Sequence, residues 1–180
     1  MRHFQLMARD VDVFPLVHAL QQQEELWNTE TLRTTHPGTA HGEVDDILLW
    51  FNHVGETPED VVDDKDVIPY PAWTALPQAR PLVFGLMNQV GGVRLGRVMI
   101  SRLPPGKTIS EHVDGGAPAT YYSRYQIALQ NLPGCMFNIG NESINFETGE
   151  VWYIDNNTVH DVVNNSADDR IAMVVDIRTD

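Results

Sequence analysis

The chain is 180 residues long, enough for one domain with a substantial buried core. Apolar residues make up 42% and charged residues 21%, ordinary globular usage that excludes a disordered or fibrous protein. With 25 acidic against 12 basic side chains the formal net charge is −13, which opposes phosphate backbones and anionic membranes, so no nucleic-acid partner is expected.

Cys135 is the only cysteine, which rules out an intrachain disulfide and a cysteine-rich zinc site. The first dozen residues are interspersed with charge and lead into no apolar h-region. No stretch approaches the ~18–20 consecutive apolar residues that span a bilayer. A soluble, cytoplasmic protein with no membrane partner is expected, with a monomer favoured.

Phe14, Val17, Leu20 and Leu26 recur at near-helical spacing among glutamines and glutamates. They predict a helix starting near Phe14–Pro15, since proline is tolerated in a first turn. TLRTTHPGTAHGEVDDILLWFN is extended in character and interrupted by Pro37 and Gly38. Residues 55–78, rich in Asp, Glu and Pro, read as a long surface loop, and QARPLVFGLMNQV, about 78–90, as a second helix. From Gly96 the pattern changes to short strands separated by the turn signals PPG, DGG, LPG, TGE and DNN. RVMISRLPPG, TISEHVDGG, YYSRYQIALQNLPG, CMFNIGN, ESINFETGE, VWYIDNN, VHDVVNN and RIAMVVDIR make about eight segments, as a double-stranded β-helix requires. The expected architecture is mainly β with flanking helices, a cupin-like jelly roll in a single domain over 1–180. Residues 1–95 would form a helical and loop region bracing the outside of one sheet, and 96–180 the jelly-roll core with the functional site.

His112 and Asp114 in SEHVDGG, with His160 in NNTVHDVVNN, carry the clearest chemistry. Two neutral imidazoles and one carboxylate can occupy one face of an octahedral ferrous ion, leaving the opposite face for a cosubstrate and O2. On a strand, positions i and i+2 share a face, so His112 and Asp114 are expected to reach one ion, with Gly115 and Gly116 ending the strand. His160 comes 48 residues after His112, and a sandwich would have to bring the two together. The plainer reading is that these are surface histidines, of which the chain has seven in all.

Arg170 follows His160 by ten residues and opens the run RIAMVVDI. Ile171, Met173, Val175 and Ile177 form the bulky apolar face of that strand, and Arg170, Ala172, Val174 and Asp176 the other. YYSRYQIAL likewise sets Tyr122, Arg124, Gln126 and Ala128 against Tyr125, Ile127 and Leu129. Two strands that each place an arginine beside an alanine outline an anion pocket inside the sandwich. A fixed cation near the metal suits the far end of a dicarboxylate cosubstrate. The competing reading leaves both arginines at solvent-exposed strand ends, paired with Asp168 or Asp169.

These residues resemble the aspartyl/asparaginyl β-hydroxylase family of Fe(II)- and 2-oxoglutarate-dependent oxygenases. The similarity covers roughly residues 97–178: serine and glycine in SRLPPG, the histidine of EHVDGG, RYQIAL, and CMFNIGNESINFETGEVWYIDNNTVHDVVNNSADDRIAMVVDI. The resemblance implies that His112 and His160 ligate iron, and that Arg170 forms the salt bridge to the distal carboxylate of 2-oxoglutarate. Ser101 and Arg124 match family residues that contact the cosubstrate. Gln126 stands where some members have a histidine, and an amide can still donate a hydrogen bond there. The animal peptide hydroxylases have glycine in place of the metal carboxylate. Asp114 therefore likens this chain to bacterial members, some of which hydroxylate free amino acids or lipid acyl chains, and favours hydroxylation over halogenation.

On the substrate side, His36, His41, Asp45, Asp46 and Trp50 could wall the pocket mouth, where Arg80 or Arg94 could meet a substrate carboxylate and Asp45–Asp46 a cationic amine. The alternative for each is a surface or turn residue. Trp73 reads as lid packing and Cys135 as a core residue. The expected reaction is hydroxylation of an aliphatic C–H in a small, amino-acid-like molecule or a peptidyl Asp/Asn-type side chain, with Fe(II), 2-oxoglutarate and O2. Two readings compete with it: a cupin-type metal enzyme that does not use 2-oxoglutarate, and a non-catalytic binding module.

Overall fold

Both predicted helices and all eight predicted strands form. The computed structural model describes residues 1–53 and 64–180. The first half runs β1 (Phe4–Ala8), α1 (Phe14–Gln21), a short 3-10 turn (Glu24–Leu26), α2 (Leu32–Thr35), β2 (Asp45–Phe51), β3 (Ile68–Pro69), α3 (Pro71–Ala75) and α4 (Ala79–Gln89). The second half runs β4 (Arg94–Leu103), β5 (Thr108–His112), α5 (Gly116–Tyr121), β6 (Ser123–Gln130), β7 (Cys135–Ile139), β8 (Glu142–Ile144), β9 (Val151–Ile154), β10 (His160–Asn164) and β11 (Arg170–Arg178).

The strands form two antiparallel sheets, β1-β9-β6-β11-β4-β2-β3 and β5-β10-β7-β8. Successive strands of β4–β11 fall in opposite sheets, except the neighbours β7 and β8, which both lie in the smaller one, and the result is a jelly roll. Among the described residues no helix is long and apolar enough to cross a membrane.

The N-terminal segment does more than the helical and loop bracing expected of it. It supplies β1, which pairs with β9, and β2, which pairs with β4 and with β3. The sequence signal was weak because β2 is buried on both faces, and a strand of that kind reads as a near-continuous apolar run, here ILLWF, rather than as an alternation. The predicted loop at 55–78 is also interrupted, by β3 and α3; its stretch within 54–63 lies outside the described residues.

Period-two alternation divides the large sheet into two working faces. Ile47, Leu49, Val98, Ile100, Ile127, Met173, Val175 and Ile177 cluster with Leu16 and Leu20 of α1 and Val83 and Leu86 of α4, so the helices brace the outer face. Between the sheets Phe4, Leu103, Ala128, Phe137, Phe146, Trp152 and Val162 form a second cluster. The register then lays a polar row along the inner face. Ala172 lies between Ser101 and Ala128, Val174 between Met99 and Gln126, and Asp176 opposite Arg124. Gly96 keeps that row close-packed: a Cβ there would sit 3.0 Å from the Asp176 Cβ and from the Tyr122 ring.

Candidate active site

His112 ends β5 and His160 begins β10, and the antiparallel register makes them direct partners. Asp114 reaches them differently from the way its spacing suggested. The strand stops at His112, and Asp114 lies in the turn before α5, where its backbone N–H donates to the Asn156 carbonyl at 3.2 Å and its Oδ2 accepts from Asn156 Nδ2 at 3.1 Å. One ligand atom from each of His112, Asp114 and His160 lies within 4.8 Å of the others.

The tautomers follow from the surroundings. His112 Nδ1 is 2.7 Å from the Ser110 carbonyl and His160 Nδ1 is 2.9 Å from the Thr158 carbonyl. A carbonyl only accepts, so both Nδ1 atoms carry the proton and both Nε2 lone pairs are free. Those Nε2 atoms face Asp114 at 3.6 and 4.0 Å. Two neutral imidazoles fixed from behind, with a carboxylate beside them, suit a divalent first-row metal such as Fe(II).

Charge keeps the third ligand ionised. Burial alone would raise the Asp114 pKa, but the Arg124 guanidinium, the two histidines and Asn156 hold it well below the usual carboxylate range. Arg124 Nε and Nη2 donate to the two Asp176 oxygens at 2.8 Å each, and its Nη1 donates to Asp114 Oδ2. Burial would deprotonate Arg124 more readily, yet Asp176 and Asp114 together hold it firmly protonated. Arg124 thus lines the cavity where the resemblance places it, with all three nitrogens engaged by carboxylates.

Arg170 has the opposite surroundings. It is 4% exposed, donates from Nη2 to Gln126 Oε1 at 2.6 Å, and lies 5.8 Å over the Phe137 ring. Among the described residues no carboxylate pairs with it; Asp169 instead approaches Arg102, at 4.0 Å. The reading that paired Arg170 and Arg124 with Asp168 or Asp169 at exposed strand ends therefore fails for both. Burial lowers the Arg170 pKa, as expected of a guanidinium held by neutral groups. Ser101 Oγ donates to Asp46 Oδ1 at 2.6 Å, and Asp46 also pairs with Arg33. One cavity is lined by His112, Asp114, His160, Ser101, Arg124, Gln126 and Arg170, all the residues expected at the metal and the cosubstrate.

The substrate-side candidates separate. His41 lies in the site, its ring 4.9 Å from that of His112, and His36 sits at the rim of an adjoining hollow. Asp45 is engaged by Arg102 and Asn28, and Asp46 by Arg33 and Ser101, so neither is placed to receive a cationic amine. Trp50 packs on the helix side against Trp73, which also meets Phe84, while Arg80 stacks over Trp73 and Arg94 pairs with Asp66. Arg80 and Arg94 line neither hollow. Cys135 is buried.

Sequence reasoning assigned no role to Asn156, Asp176, Arg33 or Arg97. Only Asp176 left a signal, since alternation put it on the Arg170 face.

His41 supplies a pH test. Burial, with Arg33 and His112 adding to it, lowers its pKa from 6.5 to about 2, and burial also lowers that of His160. The unfolded chain therefore takes up these protons first, and apoprotein stability is full above about pH 6.5 and falls as the pH drops below it. His41 alone costs ~1.4 kcal/mol per pH unit between about pH 6.5 and its folded-state value. In thermal denaturation His41→Asn should flatten the acid slope; an unchanged slope would mean that His41 is already protonated in the folded protein.

A jelly roll carrying two histidines and one carboxylate on one face of an open metal site is the arrangement of mononuclear non-haem iron oxygenases. A family model described as aspartyl/asparaginyl beta-hydroxylase matches residues 5–180, and the chain belongs to that family. It is an Fe(II)- and 2-oxoglutarate-dependent oxygenase. Among solved structures, the chain is similar to a 2OG-Fe(II) oxygenase family oxidoreductase from Burkholderia pseudomallei at 14% identity, covering 99% of this chain and 85% of that one with a TM-score of 0.61. A Pseudomonas putida prolyl-4-hydroxylase is 14% identical, with 99% and 94% covered and a TM-score of 0.55. The carbocyclase SnoK from nogalamycin biosynthesis is 16% identical, with 99% and 80% covered and a TM-score of 0.66. At these identities the likeness is one of fold. No curated protein matches the chain.

Proposed function

We propose that this enzyme hydroxylates an aliphatic C–H of a small, amino-acid-like molecule, using 2-oxoglutarate held in the inner cavity by Arg170. The observation that carries the reading is the buried Arg170 guanidinium, without a carboxylate partner among the described residues, in the same cavity as the metal triad. An unpaired buried cation is costly unless an anion completes it, and a dicarboxylate anchored at the metal would do so. When bound, Fe(II) and 2-oxoglutarate supply activation of O2, one oxygen atom going to the C–H and the other to succinate as CO2 is released.

The chain's own residues do the rest. His112, Asp114 and His160 hold one face of the metal, and Arg124 with Asn156 fixes the Asp114 carboxylate. The Gln126 amide oxygen orients Arg170, while Ser101 would turn its hydroxyl from Asp46 to donate to the cosubstrate. Ile109, Phe137, Ile154, Val162 and Val174 line the same cavity and limit water around it. The single cysteine, buried as a free thiol, fits a reducing, cytoplasmic setting.

Anaerobic titration of the apoprotein with Fe(II) and then 2-oxoglutarate tests the reading. A visible charge-transfer band should form and be absent in His160→Ala. Metal binding without that band would favour a cupin-type site that does not take 2-oxoglutarate.

A further inference from the structure

The inner cavity adjoins a second hollow of ≈ 360 Å³, whose lining includes Arg33, His41, Phe51, Arg97, Met99 and Ala119. That volume is near the lower end of the ~300–1,000 Å³ usual for small-ligand sites. Both hollows share His112, Asp114 and Arg124, so a molecule in the outer one meets two of the three triad residues.

Arg97 reaches this hollow because β4 alternates, sending Arg97, Met99 and Ser101 inward and Val98 and Ile100 to the helices. Its guanidinium is held in place by neutral groups. Nε donates to Asn52 Oδ1 at 2.7 Å, Nη2 donates to the same oxygen, and the group stacks 4.5 Å over the Phe51 ring. Asn52 is 1% exposed and is itself fixed, its Nδ2 donating to the Asp64 and Asp66 carbonyls at 2.5 and 2.7 Å. Among the described residues no carboxylate pairs with Arg97. Its neighbours differ: Arg33 is paired with Asp46, and Arg124 with Asp114 and Asp176. Burial first, and then Arg124, lower the Arg97 pKa to about 10, which leaves it charged at neutral pH.

The local charge agrees. Among the described residues, the guanidinium groups of Arg33, Arg97, Arg124 and Arg170 across the two hollows outnumber the carboxylates of Asp46, Asp114 and Asp176 by one. A divalent metal and a dianionic cosubstrate cancel one another, so that single positive charge remains for the substrate. It does so inside a chain whose net charge is −13.

We propose that the outer hollow binds a small carboxylic acid whose carboxylate is received by the Arg97 guanidinium, with the carbon to be oxidised turned toward His112, Asp114 and His160. This assignment rests on the inner cavity being the metal and 2-oxoglutarate site. A bidentate guanidinium–carboxylate contact is directional as well as charged, so it should reject the neutral amide of the same molecule.

Protein loaded with Mn(II), which supports no turnover, and with 2-oxoglutarate would be titrated calorimetrically with the protein L-α-amino acids and short aliphatic carboxylic acids, each beside its primary carboxamide. At least one acid should bind about tenfold or more tightly than its amide, a difference of ~1.4 kcal/mol. Arg97→Gln should abolish that preference while 2-oxoglutarate affinity stays unchanged. A purely structural Arg97 would weaken acid and amide alike. Equal binding of acid and amide by the wild type, a preference that survives in Arg97→Gln, or no ligand bound by protein that holds both Mn(II) and 2-oxoglutarate would overturn the assignment. Should Arg97→Gln not fold, Arg97→Lys should weaken acid binding and spare the amide; unchanged acid binding there overturns it as well. Wild-type protein that holds Mn(II) but no 2-oxoglutarate would instead remove the reading of the inner cavity, and this assignment with it.

Discussion

Replacing Arg170 with alanine should raise the 2-oxoglutarate concentration needed for half-maximal succinate release by at least about 100-fold, with little change in the thermal stability of the apoprotein. Breaking a buried ion pair by removing one partner typically costs about 3–5 kcal/mol, or ~2–3.5 decades of affinity. The bound state contains such a pair only if the cosubstrate carboxylate lies on Arg170. The free protein does not, because among the described residues its Arg170 is partnered by the Gln126 amide and the Phe137 ring, with no carboxylate. Alanine therefore removes a desolvated charge from the apoprotein and a salt bridge from the complex, and the two measurements should separate. An unchanged requirement for 2-oxoglutarate would take the role from Arg170. A large fall in melting temperature with no change in that requirement would make the residue structural.

The same contrast explains what could be read in the sequence. The strands from Gly96 onward were legible because turn residues punctuate them and because β6 and β11 alternate small or polar residues with bulky apolar ones. That alternation already put Arg124, Gln126, Arg170 and Asp176 on inner faces. β2 lies in a stretch that reads as extended, but burial on both sides erases the period that would place it in the sheet, and with it goes the part Asp46 plays beneath Ser101. Asp114 was assigned correctly as a neighbour of His112 for a reason that does not hold: the strand ends first, and Asn156, from the turn that precedes β10, carries it into place. Arg97 illustrates the remaining limit. Nothing in GRVMIS separates it from any other arginine in a strand. Its meaning depends on which of the chain's acidic groups reach it, and that is fixed by sheet register.

The second large effect concerns Asp114. Asp114→Asn keeps the size of the side chain and removes its charge, and it should lower Fe(II) affinity by more than the 10–100-fold typical of losing a group that merely orients a ligand. Hydroxylation should fall with it to background. Two consequences add together. The metal loses an anionic donor, and Arg124 loses one of the two carboxylates that balance its buried charge, which leaves a guanidinium beside the metal position with Asp176 alone to hold it. Repulsion between that cation and a divalent ion then opposes binding where attraction through Asp114 had favoured it. Arg124→Gln in the Asp114→Asn background provides the check: removing the unbalanced cation should restore part of the Fe(II) affinity measured by calorimetry, although not turnover. If the double variant binds metal no better than Asp114→Asn, the Arg124 charge is not what sets the affinity. If Asp114→Asn alone binds Fe(II) as the wild type does, Asp114 is not a ligand.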